Sequence, residues 1–281
     1  MRAGDMLVVE FEKLLYILHS PAYGESIEMD LWVWIRHVNA IAATNGIYGS
    51  RSPLENPDVE AAFETGYKNH GRQIGVFWTV WDFFSRPQLL SDIRDELERV
   101  AVIRYDGEKN GPIFELDIGA LKTRCPLLLS AHEETQRTRM IHANIRQVME
   151  DTMLDERYWL KKGSFLQIPN KTIHTPPEVW GNNAMEYDPR RFMEKGGAML
   201  GRQFASTQIL IFAAMMVLRV DMEPVGVSGQ WNSPGDMTGA IAVINPPAGK
   251  VDVQIRSRKA AEGVWKFKTG ESKTGVPLTS G

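Results

Sequence analysis

Apolar residues recur at helical spacing along most of this chain. From Asp30 to Thr44 they fall at Leu31, Trp34, Ile35, Val38 and Ile41–Ala42, one face of a helix. Met6–Leu18 is also apolar-rich and helical in pattern, and Asn45-Gly46 and Ser50–Pro53 mark a loop before a helix starting over Asp58–Phe63. Ile74–Phe84 is strongly apolar and predicts a helix. Ser85-Arg86-Pro87 ends it, and Pro87 suits the first position of the next helix, whose missing N–H is no loss there. That helix, to about Val100, is two-faced, with Leu89, Leu90, Ile93, Leu97 and Val100 opposite Asp92, Asp95, Glu96 and Arg99. Further helices are predicted over Asp117–Leu121, Pro126–Arg139, a short turn from Pro176-Pro177-Glu178, and Gly201–Val220. Tyr158–Pro169 reads as a strand, a turn at Lys162-Gly163 and a strand, and Val251–Arg256 alternates as a strand does. The pattern gives a mainly α fold with small β-sheets, one domain over residues 1–258, and a polar tail over 259–281 expected to be loose.

Composition narrows the function classes. Hydrophobic residues make up 43% and charged residues 24%, ordinary globular usage, and the net charge is −3 with Lys and Arg spread out, so nothing points to nucleic acid. The chain has one cysteine, Cys125, which excludes an internal disulfide and fits a reducing compartment. Asp5 and Glu10 interrupt any signal-peptide core, and the longest apolar run, Ile209–Leu218, is far short of the roughly 20 residues that cross a bilayer. The expected location is cytoplasmic, or peripheral to a membrane.

Glu134-Thr-Gln-Arg137 places a carboxylate and a guanidinium three residues apart on one helix face, a spacing that is common in surface pairs. It is followed by Arg191 within Asp188-Pro-Arg-Arg-Phe192, and then by Gly201-Arg-Gln-Phe-Ala205 at the start of an apolar helix. In this order and spacing the motifs resemble the C-terminal half of the cytochrome P-450 superfamily, the heme-thiolate monooxygenases. The resemblance implies a structural triad of Glu134, Arg137 and Arg191 that fixes the loop leading to the heme. It also implies heme contacts at Arg146, Leu200, Gly201 and Phe204. Arg146 would reach a heme propionate by a charge-assisted bond, and an exposed strand arginine is an equal alternative. Ile74–Pro87 resembles the end of the family's long central helix. The Phe77-Trp78 and Cys125–Ser130 segments are similar to fungal members near the steroid 7α-hydroxylase and prostacyclin synthase branch. The family implies a heme cofactor, a reductase partner, a small apolar substrate, here within fungal secondary metabolism, and residence at the endoplasmic-reticulum membrane.

The sequence departs from the family at the points where its chemistry resides. The family's iron is held by a cysteine just before the glycine matching Gly201, and its thiolate favours O–O cleavage. Here Met199-Leu200 stand there, and no cysteine lies between Leu200 and Gly201. The oxygen-handling motif is absent from Lys68–Gln73, and Asp82 lies downstream on the wrong side to replace it. The fold implied is therefore a partial one, lacking the N-terminal part, the pocket-roof helices and the cysteine loop. No alternative metal ligand set stands out. Cys125 reads as a small packed residue, His174 as a lone strand-end histidine, Glu133 points away from Glu134, and Trp32-x-x-x-Arg36 reads as core packing. Three readings remain open. One is a heme monooxygenase by descent, inactive as written. The second is a non-catalytic fragment or a misassembled reading frame. The third is a heme-free module binding an apolar ligand through exposed Trp78, Trp81 and Phe84.

Overall fold

A computed structural model describes residues 26–48, 52–56, 58–60, 62, 71–107, 111–140, 142–193, 203–226, 230–235, 237 and 244–268. The expected helix at Met6–Leu18 lies outside them. The chain enters on β1 (Ile27–Asp30) and turns directly into α1 (Leu31–Tyr48). The Asp30 carboxylate accepts from the backbone of Trp32 at 2.9 Å and Val33 at 3.3 Å, satisfying two N–H groups that no helical carbonyl can reach. α1 does not stop at Asn45-Gly46 as expected. Ala40 and Ile41 pack with Leu54 in a small separate cluster that holds its last turns.

Two helices form the centre. α2 (Gly71–Phe84) and α8 (Gln203–Arg219) are rich in apolar residues, and the helices and sheets around them bury Gln73–Phe84 and Ile209–Leu218. They touch at Gly75, where an added Cβ would stand 3.1 Å from the Ile209 side chain. α3 (Pro87–Val100) begins at Pro87 as expected and buries Leu89, Ile93 and Leu97 against this pair. α4 (Ile118–Thr123) is started by Asp117, whose carboxylate accepts from Ala120 N at 2.9 Å. α5 (Pro126–Arg139) has the predicted bounds and packs beside α2 and α3. Carbonyls where α8 gives way to β8 are taken by arginines. Arg94 donates to Val217 O and Val220 O, both at 2.9 Å, and Arg258 to Leu218 O at 2.8 Å.

The sheets are small and peripheral. β1, β9 (Asp252–Ser257) and β8 (Val220–Pro224) form one antiparallel sheet in the order β1-β9-β8. In the second, β10 (Val264–Lys268) runs parallel to β3 (Ile113–Asp117), which pairs antiparallel with β2 (Val102–Tyr105). β10 corrects one expectation. It lies inside the stretch from Lys259 expected to be loose, because Trp265 and Phe267 alternate with Lys266 and Lys268 and turn their rings inward.

β4 (Ala143–Gln147), β5 (Thr152–Leu154), β6 (Tyr158–Leu160) and β7 (Phe165–Pro169) build one long ribbon. β4 pairs with β7 and β5 with β6, and the two ladders, Ala143↔Pro169 to Gln147↔Phe165 and Thr152↔Leu160 to Leu154↔Tyr158, keep the same register across the gap between them. Val148 joins the two halves through bonds to Ser164 and Gly163. The chain reverses at Asp155-Glu156, both at positive φ, rather than at Lys162-Gly163, which only kinks the returning arm. α6 (Asn170–His174) and α7 (Pro177–Trp180) follow. His174 thus ends a helix, not a strand.

Candidate functional site

Glu134, Arg137 and Arg191 meet in the interior between α5 and the segment after α7. Arg137 closes a two-pronged pair on Glu134, Nε to Oε2 at 2.7 Å and Nη2 to Oε1 at 2.8 Å. Arg191 Nε and the Asp188 backbone N–H reach the same Oε1, at 3.1 and 3.0 Å. The remaining donors hold backbone. Arg137 Nη1 donates to His174 O at 2.6 Å and Ala184 O at 2.8 Å, and Nη2 to Glu186 O at 3.3 Å. Arg191 Nη1 donates to Trp180 O and Asn183 Oδ1, and Nη2 to Asn183 O and Glu186 O. Each guanidinium therefore uses all five of its N–H groups. All three side chains are buried, so the charges interact through little solvent. The arrangement has no free valence for a substrate. It fixes residues 174–191 against α5, a positioning role.

A second buried polar cluster lies on α2. Asp82 accepts from Arg86 Nη1 at 2.9 Å, Thr135 Oγ1 at 3.1 Å and Arg139 Nη2 at 3.5 Å. Burial pushes its carboxyl above the usual range, and the two arginines pull it back. Tyr187 donates to Ala131 O at 2.8 Å and lies under the Arg86 guanidinium at 4.0 Å, and its burial raises its hydroxyl pKa. One turn away, His132 contacts Thr79 Oγ1 through Nδ1 at 3.2 Å, and burial lowers its pKa to about 4. These contacts tie α2 to α5 at its buried centre. Sequence reasoning set Asp82 aside and passed over His132, Thr135 and Tyr187. The signal present was Thr79 and Asp82, polar residues inside the otherwise apolar run of α2.

The aromatic residues expected to be exposed are not. Trp78, Trp81 and Phe84 are buried. Trp78 donates to Asn245 O at 2.8 Å, the Arg139 guanidinium stacks over its ring at 3.7 Å, and Trp231 meets Trp81 edge-on at 6.4 Å. Trp231 and Asn245 thus lie against these rings from a distant part of the chain.

Of the four residues expected at a heme, Arg146 is the one described with its side chain. Arg146 is exposed on β4, with Nη1 on its own neighbour Ile145 O at 3.0 Å. Leu200 and Gly201 lie outside the described residues, and Phe204 is in the first turn of α8 with its side chain outside them. Cys125 is wholly buried at the start of α5, nine residues before Glu134 and so about 14 Å from it along the helix. Burial, and then the Glu96 charge, push its thiol up to about 12. His174 is buried, its pKa lowered by burial and by Arg137, and its Nδ1 has no partner. Among the described residues no three His, Cys, Asp or Glu side chains gather as metal ligands, and no helix is long and apolar enough to cross a membrane. Among the described residues the one thiol, Cys125, is buried and held protonated, which does not suit a heme thiolate.

The chain and its fold have counterparts among known proteins. The chain is 34% identical over 231 residues to the cytochrome P450 monooxygenase nodJ of Hypoxylon pulicicidum, covering 73% of this chain and 45% of that protein. It is 30% identical over 230 residues to a cytochrome P450 monooxygenase of Gibberella zeae, covering 70% and 42%. The chain thus spans less than half the length of these relatives. In structure it resembles a zebrafish cytochrome P450 solved with abiraterone, with a TM-score of 0.65 at 14% identity, over 92% of this chain and 78% of that one. The description "Cytochrome P450" matches residues 74–252, from the middle of α2 to the first residue of β9, and the chain belongs to the cytochrome P450 family.

Proposed function

We propose that this chain descends from a heme monooxygenase acting on small apolar molecules with a reductase, and that as written it is a non-catalytic P450 scaffold. The observation that carries this reading is the state of its one cysteine. A heme thiolate needs an accessible, deprotonated sulfur on the proximal side. Cys125 is buried, about 14 Å along α5 from the triad, and holds its proton to about pH 12. The run Met193–Arg202, where the family places its ligand, contains no cysteine. The names of the fungal relatives support the ancestry. Burial of Trp78, Trp81 and Phe84 speaks against the alternative of a heme-free module that binds apolar ligands through an uncovered aromatic face.

The test is a heme titration of the purified chain, followed by the absorption spectrum of the reduced, carbon-monoxide-bound form. The expected result is no saturable uptake, or a loosely held heme with a nitrogen-ligated spectrum. A thiolate-type Soret band at one heme per chain would overturn the reading, and a Cys125→Ser variant would then show whether that thiol is the ligand.

A further inference from the structure

The buried triad is not electrically balanced. One carboxylate, Glu134, faces two guanidinium groups, Arg137 and Arg191, which leaves the cluster positive by one. His174 sits against it. Its carbonyl accepts from Arg137 Nη1 at 2.6 Å, and the same Trp180 ring lies 5.8 Å from its imidazole and 5.1 Å from the Arg137 guanidinium. His174 is 7% exposed, and its Nδ1 is buried with no hydrogen-bond partner. The charged groups around it offer a proton no welcome. Glu134 on α5 is engaged by both arginines, and Glu178 and Glu186, on α7 and beyond it, are exposed. Asp188 is only partly exposed and accepts from Arg190 N. Lys171 on α6 and His142, whose carbonyl accepts from Asn170 N, are exposed, and β7, which packs on α6, has no ionisable side chain. A proton on His174 would put a second unbalanced positive charge into a buried cluster.

We propose that His174 is an acid-sensitive latch, whose protonation releases residues 174–191 from α5. The segment is built to leave as a unit. Its own hydrogen bonds are local, Gly181 N to Pro177 O, Ala184 N to Gly181 O and Glu186 N to Asn183 O, so none is broken when it moves. Between residues 175 and 190 only Ala184 is buried, so little apolar surface holds it down. What fastens it is polar: the Arg137 bonds to His174 O, Ala184 O and Glu186 O, and the bond from Asp188 N to Glu134 Oε1. Segments with few buried apolar contacts open well below the free energy of global unfolding. In the released state the His174 ring is in water and takes up a proton with its ordinary value of about 6.5, whereas in the seated state burial and Arg137 hold it lower. Above about pH 6.5 neither state is protonated and the latch is closed, and as pH falls below that the released state gains a proton that the seated state refuses.

Hydrogen exchange of the full chain at about pH 7.5 and about pH 5.5, each corrected for the intrinsic rate, tests this, because one linked proton predicts about a tenfold rise in opening between them. Protection at Gly181, Ala184, Glu186 and Asp188 should fall by that factor. The fall should vanish in His174→Gln, which cannot take up the proton. It should persist in His132→Gln, which separates it from the loss of global stability that His132 brings. Should His174→Gln fail to fold, the imidazole resonances of the unmodified chain give a second reading, and His174 should titrate below its ordinary value. Four results would overturn the proposal. They are unchanged protection at the four amides, an equal fall in His174→Gln, an equal fall at the amides of α2 in His132→Gln, or an ordinary titration of His174 at about 6.5 in the folded chain.

Discussion

Glu96 caps the helix that Cys125 begins. Its carboxylate accepts from Leu127 N and Leu128 N, both at 2.9 Å, and its charge beside Cys125 adds to burial in holding the thiol protonated. A cysteine at a helix start is normally activated, because the aligned peptide dipoles favour the thiolate. Here the carboxylate occupies the favourable position and reverses the effect. The Cys125 thiol is therefore expected to resist alkylation in the folded protein at neutral pH and to react only as the chain unfolds. Labelling with iodoacetamide through a urea series should follow the loss of helical dichroism. Rapid labelling in the absence of urea would contradict the structure. Glu96→Gln removes the repulsion and should lower the thiol pKa, seen as faster labelling at alkaline pH.

Breaking the Glu134 triad should be among the most damaging single changes. Glu134→Ala leaves two guanidinium groups buried with no carboxylate between them. Removing one partner of a buried pair typically costs about 3–5 kcal/mol. Arg137→Lys is not conservative here, because an ammonium cannot serve two carboxylate oxygens and the carbonyls of His174, Ala184 and Glu186 at once. Urea unfolding should show both losses, with Glu134→Ala the larger. Residues 174–186 should also become more open to proteolysis in both variants. Unchanged protection there would mean that the triad does not hold this segment.

The His132 pKa predicts a pH dependence of stability. Its ordinary value is about 6.5, which stands for the unfolded chain, and burial lowers it to about 4 when folded. Above pH 6.5 neither state is protonated, and the contribution of neutral His132 is fully present. As pH falls from about 6.5 toward 4 the unfolded chain takes up a proton that the folded chain refuses, so stability falls. Below about 4 both are protonated and this contribution is lost. Asp82 works in the opposite sense, since its raised pKa makes the folded state hold a proton that the unfolded state releases. The measurement is therefore a difference: unfolding free energy of the wild type minus that of His132→Gln, from pH 4 to 7. It should decline toward low pH. A flat difference would place His132 in contact with solvent.

Some of this fold is legible in the residues and some is not. α3 and α5 begin at Pro87 and Pro126 as proline at a first helical position requires, and α2 and α8 follow from apolar runs. The triad was readable because three short motifs fall in order, each weak by itself. What was missed depends on partners distant in sequence. Trp78 and Trp81 look stranded in the sequence, but Arg139, Trp231 and Asn245, all distant along the chain, lie against them. Lys162-Gly163 looks like a hairpin turn, but the pairing register puts the reversal at Asp155-Glu156, two residues with no turn preference as strong as glycine's. β2 and β3 are only four and five residues long, so the alternation of buried Phe114 and Leu116 with Glu115 and Asp117 is too brief to stand out in the sequence.

β10 is the instructive miss, and it yields the last prediction. Val-Trp-Lys-Phe-Lys carries the period-two pattern of a half-buried strand inside a stretch that is otherwise polar. Trp265 stacks flat on Phe114, with centroids 4.8 Å apart and planes 14° from parallel, and its Nε1 donates to Ala261 O at 2.9 Å. Trp265→Ala should therefore destabilise the whole protein by about 3–5 kcal/mol, as loss of a buried large aromatic does. Trp265→Phe keeps the stack and loses the hydrogen bond, so it should cost less. The approach to the strand is equally constrained. Gly263 has φ of +152°, and an added Cβ would lie 2.2 Å from Pro112 O, a backbone atom that cannot turn aside. Gly263→Ala should displace β10 from β3 although it removes no side chain. Urea unfolding followed by dichroism, with hydrogen exchange at Ile113–Asp117, checks both changes. If Trp265→Ala unfolds at the wild-type midpoint, β10 is an appendage and the expected loose tail begins before it.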